Sequence, residues 1–160
     1  MKGDARVIEY LNEALKNELT AINQYFLHYR LLTHWGVKKL AKFEYDESID
    51  EMKHADRLAD RILFLDGLPN FQLLGRLRVG ENVEEVLKSD LELELEAIPL
   101  LKEAIAHCEG VRDYISRELF EDILENEEEH VDTLERQFDM IKNMGLQNYI
   151  QLQSEPAEEG

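Results

Sequence analysis

Cysteine is nearly absent from this 160-residue chain. Cys108 is the only one, so no internal disulfide can form, and a reducing, cytoplasmic compartment fits. Only three prolines and eight glycines interrupt it, which leaves long stretches free of helix breakers. No apolar run approaches the ~20 residues of a membrane span. The opening MKGDARVIEY lacks the apolar core of a signal peptide. Basic residues are scarce: 18 stand against 35 acidic ones, a net charge of −17. Nucleic-acid binding, which needs Lys and Arg to meet phosphates, is excluded on that balance, and cations are favoured. What remains is 44% hydrophobic and 33% charged. A chain of this length buries roughly 70% of its unfolded surface, enough for one core.

Periodicity at i, i+3 and i+4 predicts an all-α fold of four long helices. The first runs from about Asp4 to Leu32, with Val7, Leu11, Leu15, Ile22, Phe26 and Tyr29 as its stripe, and the THWG turn ends it. The second runs from Val37 to Leu65 on Leu40, Phe43, Leu58 and Ile62. A long Gly- and Pro-rich connection follows, DGLPNFQLLGRLRVGEN. The third helix spans Val83 to Glu109, with Pro99 expected to kink it or remove one backbone bond. The fourth spans Arg112 to Met144, and Gly145 is a C′ cap. Two tight hairpins joined by one crossover make a four-helix bundle, each helix roughly 40 Å long. The whole chain reads as one domain: the bundle over about 4–144, a short fifth helix over about 146–153 and a polar tail over 154–160.

Polar residues intrude on these apolar stripes. Glu18 lies seven after Leu11 and seven before Tyr25, and Glu94 holds the same relation to Leu87 and Leu101. Glu51 and His54 precede Leu58 by seven and four, and Glu127 and His130 sit between Ile123 and Leu134. Six ionisable groups therefore face the core. Glu18 to Glu51 is 33 residues, as is Glu94 to Glu127, and both midpoints fall in the inter-helix turns. Residues equidistant from a hairpin turn lie level, so each hairpin sets two carboxylates side by side. The offset from Glu18 to Glu94, Glu51 to Glu127 and His54 to His130 is 76 in each case, the mark of two related half-sites.

Glu-x-x-His alone is a weak signal among 24 glutamates and five histidines. Stripe placement, level pairing and the shared offset together are not. Four buried carboxylates cannot all stay ionised unaided, since the penalty is several kcal/mol per ion. Two divalent cations supply the balancing charge with both imidazoles neutral. The mix of carboxylate and imidazole suits iron, manganese or zinc rather than calcium. One Glu on each of two helices and Glu-x-x-His on the other two is the di-iron carboxylate pattern.

Met52 stands one residue past Glu51, about 100° around the helix, and cannot face the same core. With Tyr45, Ile49, Ala59 and Leu63 it forms a second apolar stripe, and Leu19, Asn23 and Phe26 lean the same way on the first helix. A second face predicts an oligomer, and a C2 dimer would bring two copies of Met52 together.

The stretches NELTAINQYFLH, ESIDEMKHADR, RILFLDGLPN and ENEEEH carry a resemblance over nearly the whole chain. It resembles the bacterioferritins. The resemblance implies a shell of 24 subunits with haem b at each twofold interface, ligated by Met52 from both copies. It implies Glu18 and His54 on one iron, Glu94 and His130 on the other, and Glu51 and Glu127 bridging. The implied function is oxidation of Fe(II) by O2 or hydrogen peroxide and storage of ferric mineral. Release would use electrons from a small bacterioferritin-associated ferredoxin, docked near Leu68, Pro69 and Glu81. Two departures stand out. The family's inner-surface His is Asp46 here, so an auxiliary iron site with Asp50 would consist of two carboxylates. The aromatic residue three places after the second His is Thr133. Tyr25 remains as an electron donor, with core packing of a satisfied hydroxyl as its plain alternative. His28 and His107 read as surface or secondary contacts, His34 as a turn residue and Cys108 as a small hydrophobe. Two rival functions stay open: a stand-alone di-iron peroxidase without mineral, and a non-enzymatic haem electron carrier.

Overall fold

The computed structural model describes residues 1–156 and contains five helices and, among those residues, no strand. They are α1 (Ala5–His34), α2 (Lys38–Phe64), α3 (Val83–Gly110), α4 (Tyr114–Met144) and α5 (Leu146–Gln153). The four long helices form two antiparallel hairpins, α1 with α2 and α3 with α4, packed together chiefly through α1 and α3. Residues 157–160 of the polar tail lie outside the described residues.

Caps set the boundaries. The Asp4 carboxylate accepts from Val7 N at 2.9 Å and starts α1. Asn82 does the same for α3 through Glu85 N. Helix α4 begins at Tyr114 rather than at Arg112, because Arg112 takes φ 61° and Asp113 caps the helix through Ser116 N at 3.0 Å. Gly36, at φ 83°, lets the α1–α2 turn reverse in so few residues. Helix α3 runs unbroken through exposed Pro99. The lost backbone bond falls at the carbonyl of Leu95, whose residue is solvent-exposed, so water can replace it.

The crossover between α2 and α3 is held by side chains along one face of α1. Asn12 accepts from Asn70 N at 2.8 Å, Thr20 Oγ1 from Gly75 N at 2.8 Å and Gln24 Oε1 from Arg78 N at 3.0 Å. Gly80 N donates to His28 Nε2 at 3.0 Å. Two apolar clusters fill the bundle. One includes Leu11, Leu15, Leu58, Ile62, Leu101, Phe120 and Ile123. The other, toward the opposite end, includes Leu32, Leu40, Val86, Leu87, Leu134 and the Tyr149 ring of α5. The polar layer described below lies between them. On the outside, Phe26, Tyr45, Met52 and Leu63 are all exposed, so much of the second apolar stripe is left uncovered by the described residues. No helix among the described residues is long and apolar enough to cross a membrane.

Cys108 is fully buried in the first cluster. Burial, with the Asp113 and Asp4 carboxylates nearby, pushes its thiol up to about 12. A thiol-specific chromogenic reagent at neutral pH should therefore leave the folded protein unmodified and label one thiol per chain in denaturant. Rapid labelling of the native protein would contradict this burial.

Candidate metal centre

Half-way along the bundle, every long helix turns carboxylates inward. Glu18, Glu51, Glu94 and Glu127 are each at most 4% exposed, and His54 and His130 are buried beside them. Their ligand atoms form two groups of four, Glu18–Glu51–His54–Glu127 and Glu51–Glu94–Glu127–His130, each within 4.8 Å. His54 Nδ1 lies 3.5 Å from Glu18 Oε2, 3.7 Å from Glu51 Oε2 and 3.5 Å from Glu127 Oε1. His130 Nδ1 lies 3.1 Å from Glu51 Oε1, 3.6 Å from Glu94 Oε1 and 3.6 Å from Glu127 Oε2. Glu51 and Glu127 thus offer one oxygen to each half, while Glu18 and Glu94 serve one half each. A cavity of about 10 Å³, bordered by Asn17, Ala21, Leu93 and Ala97 as well as by four of the carboxylates, lies against the cluster.

The donor set is suited to cations. Glu18 Oε2, Glu51 Oε1, both oxygens of Glu127, and Nδ1 of both histidines are buried without a hydrogen-bond partner. Leaving that many polar atoms unsatisfied is costly unless something ligates them. Burial and the Glu127 charge push Glu51 above the usual carboxylate range. Burial also works against the charged form of Glu127, but contacts with His130 and His54 hold it below that range. Burial disfavours both imidazolium ions, yet the surrounding carboxylates outweigh it. Glu127 and Glu51 push His54 up to about 9, and Glu127, Glu47 and Glu51 push His130 up to about 12.

Tyr25 is fully buried and donates its hydroxyl to Glu94 Oε1 at 2.5 Å. Burial, then the charges of Asp90 and Glu44, push that phenol well above its ordinary range. The structure does not gather Asp46 and Asp50 into one group. Asp46 is exposed and pairs with Lys42 at 2.7 Å, whereas Asp50 falls with Glu47 and His130. Glu47 was not legible as a site residue. Its Oε2 approaches His130 Nε2 to 2.7 Å, outside the ring's N–H direction, so it is a close charge contact rather than an aligned hydrogen bond. It stands four before Glu51, one turn along the same face. His28 is not a surface residue; it is fully buried against Asp90, with Glu44 beside them. His107 does make a secondary contact, 2.9 Å from Asp4 Oδ1.

Comparison with known proteins places the chain in a family. Residues 8–144 match the family model described as a ferritin-like domain. The bacterioferritin of Brucella melitensis biotype 1 is 50% identical over 159 residues, covering 99% of each chain. That settles the assignment. The chain belongs to the bacterioferritin family. The bacterioferritin of Streptomyces coelicolor is 50% identical over 165 residues, all of this chain and 99% of the relative. That of Rhodobacter capsulatus is 48% identical over 158 residues, with 99% and 98% covered. Bacterioferritin membership and an all-helical bundle with a short C-terminal helix agree with each other.

Proposed function

We propose that the chain is an iron-storing ferroxidase whose substrate, Fe(II), binds as a pair at the buried cluster. The observation that carries this reading is the division of six buried side chains into two sets of four sharing Glu51 and Glu127. Glu18 and His54 would hold one iron, Glu94 and His130 the other, and the shared carboxylates would span both. Four carboxylates then balance two Fe(II) with both imidazoles neutral. Each Fe(II) gives one electron, and the two together with two protons would take O2 to hydrogen peroxide or hydrogen peroxide to water; hard carboxylate donors favour the Fe(III) product. Glu47 adds a negative charge beside the far nitrogen of the His130 ring. Tyr25, hydrogen-bonded to Glu94, is placed to supply a further electron to the same half.

Storage requires a container. The exposed apolar stripe around Met52 supports a twofold interface, and we read the assembly as a shell of 24 copies. Met52 is exposed, as are Phe26, Tyr45 and Leu63 on the same apolar stripe, a setting that fits haem b ligated by Met52 of two copies. Haem there would carry electrons inward for release, supplied by a ferredoxin docked near Leu68, Pro69 and Glu81. Exchange of Met52 for leucine should abolish the haem absorbance yet leave Fe(II) oxidation within about twofold of the parent; loss of both would mean the two sites are not separable.

Anaerobic Fe(II) titration tests the function. The expected result is saturation at two per subunit followed by rapid oxidation in air. Saturation elsewhere, or slow oxidation, would defeat it. Size-exclusion chromatography tests the container: a species of only a few subunits would point to the stand-alone peroxidase.

A further inference from the structure

A second buried polar group lies outside the dinuclear cluster. The ligand-type atoms of His28, Glu44 and Asp90 fall within 4.8 Å of one another, and all three residues are 0% exposed. Asp90 Oδ1 accepts from Gln24 Nε2 at 3.0 Å and faces His28 Nδ1 at 2.9 Å. Because Gly80 N donates to His28 Nε2, that nitrogen must carry the lone pair. His28 is therefore neutral, with its proton on Nδ1 and donated to Asp90. Both of its nitrogens are used, so it cannot ligate a metal. Asp90 Oδ2 and both oxygens of Glu44 have no partner. Among the described residues neither carboxylate is paired with Lys or Arg; His28 is the one basic group against Asp90. Two adjacent carboxylates in such a place cannot both be charged.

We propose that Glu44 and Asp90 form a buried acid pair holding one proton between them, and that this pair anchors the α2–α3 crossover. The anchoring runs through two short relays. Arg78 N donates to Gln24, which donates to Asp90; Gly80 N donates to His28, which donates to the same oxygen. Asp90 thus gathers two links from the crossover on Oδ1, and the shared proton on Oδ2 keeps Glu44 from repelling it. The other titratable groups facing the pair are Tyr25 from α1, Glu47 from α2 and Tyr149 from α5. None is a cation, so none removes the need for the proton. Burial, then the charge of Asp90, push Glu44 well above its usual range, in agreement.

Infrared difference spectroscopy of the assembled protein tests the proton. At neutral pH in D2O the parent should show the carbonyl stretch of a neutral carboxylic acid, and Glu44→Gln should remove it. Acid bands common to both proteins belong to the crowded dinuclear cluster and cancel in the parent-minus-E44Q difference; a difference spectrum with no such band would overturn the shared proton. A third Co(II) bound per subunit and lost in E44Q would overturn it too, since the pair would then hold a metal. Hydrogen exchange tests the anchor. Glu44→Gln, whose amide N–H can replace the shared proton, should leave exchange at Arg78 and Gly80 unchanged. Asp90→Ala should speed both by about tenfold, the scale of a lost buried hydrogen bond. If that variant does not assemble, Gln24→Leu breaks one relay only and should speed Arg78 alone. Unchanged exchange in these variants would overturn the anchoring role.

Discussion

Replacing Glu94 by alanine slows Fe(II) oxidation by on the order of 100-fold or more while the bundle still assembles, as outright loss of a ligand should exceed the 10–100-fold effects of outer partners. Stopped-flow absorbance after mixing Fe(II) with oxygenated buffer measures the rate, and size exclusion measures assembly. The physical reason is that Glu94 serves only the His130 half, so its loss leaves that half one carboxylate short. Glu18→Ala should do the same to the other half. The two variants are not equivalent in stability. Glu94 also accepts the Tyr25 hydroxyl, and alanine there leaves a buried donor unmet, which costs about 1–3 kcal/mol. Glu18 has no such duty, and removing one of four crowded carboxylates relieves repulsion. E18A should therefore melt at or above the parent temperature without iron, and E94A below E18A. Loss of assembly in E18A would mean that the group is structural rather than functional.

Gly80→Ala should have the largest effect on stability of any glycine substitution here. A Cβ at Gly80 would meet Val86 N at 2.3 Å, Val86 Cα at 2.6 Å and Glu85 C at 2.7 Å. All three are backbone atoms of the first turn of α3, so no side chain can swing away. The crossover or the helix start must move, and Gly80 N would be drawn off His28. Overpacking of this kind costs about 1–3 kcal/mol, and a rigid obstacle favours the upper end. Gly36→Ala, at φ 83° with open space around it, carries only the smaller conformational penalty. Denaturant midpoints of the two variants would compare them directly. Equal midpoints would contradict the packing of the crossover against α3.

The helices, the hairpins and the long crossover were legible because stripes at i, i+3 and i+4 run nearly unbroken through this chain. The six buried ligand candidates were legible because four of them form two Glu-x-x-His pairs and the rest share the 76-residue offset. Glu44 and Asp90 occupy equivalent stripe positions, seven before Glu51 and four before Glu94, yet carry no companion histidine in a recognisable spacing. Nothing local sets them apart from the other acids of an acidic chain. His28 reads as peripheral because the group that buries it, Gly80 N, is 52 residues away in an irregular connection. Asp46 and Asp50 stand four apart and would share a face, but Lys42, four residues before Asp46, draws that carboxylate outward. Contacts of this kind depend on which rotamer wins a local competition, and spacing does not encode that.

In the proposed function, six inward side chains tolerate one another because two metal ions join them. Crystals soaked anaerobically in ferrous salt, with anomalous data collected across the iron edge, test it most directly. Two iron peaks per subunit are expected, one among Glu18, His54, Glu51 and Glu127 and the other among Glu94, His130, Glu51 and Glu127. A cluster that takes up no iron in the soak, or iron bound only at surface carboxylates, would contradict it.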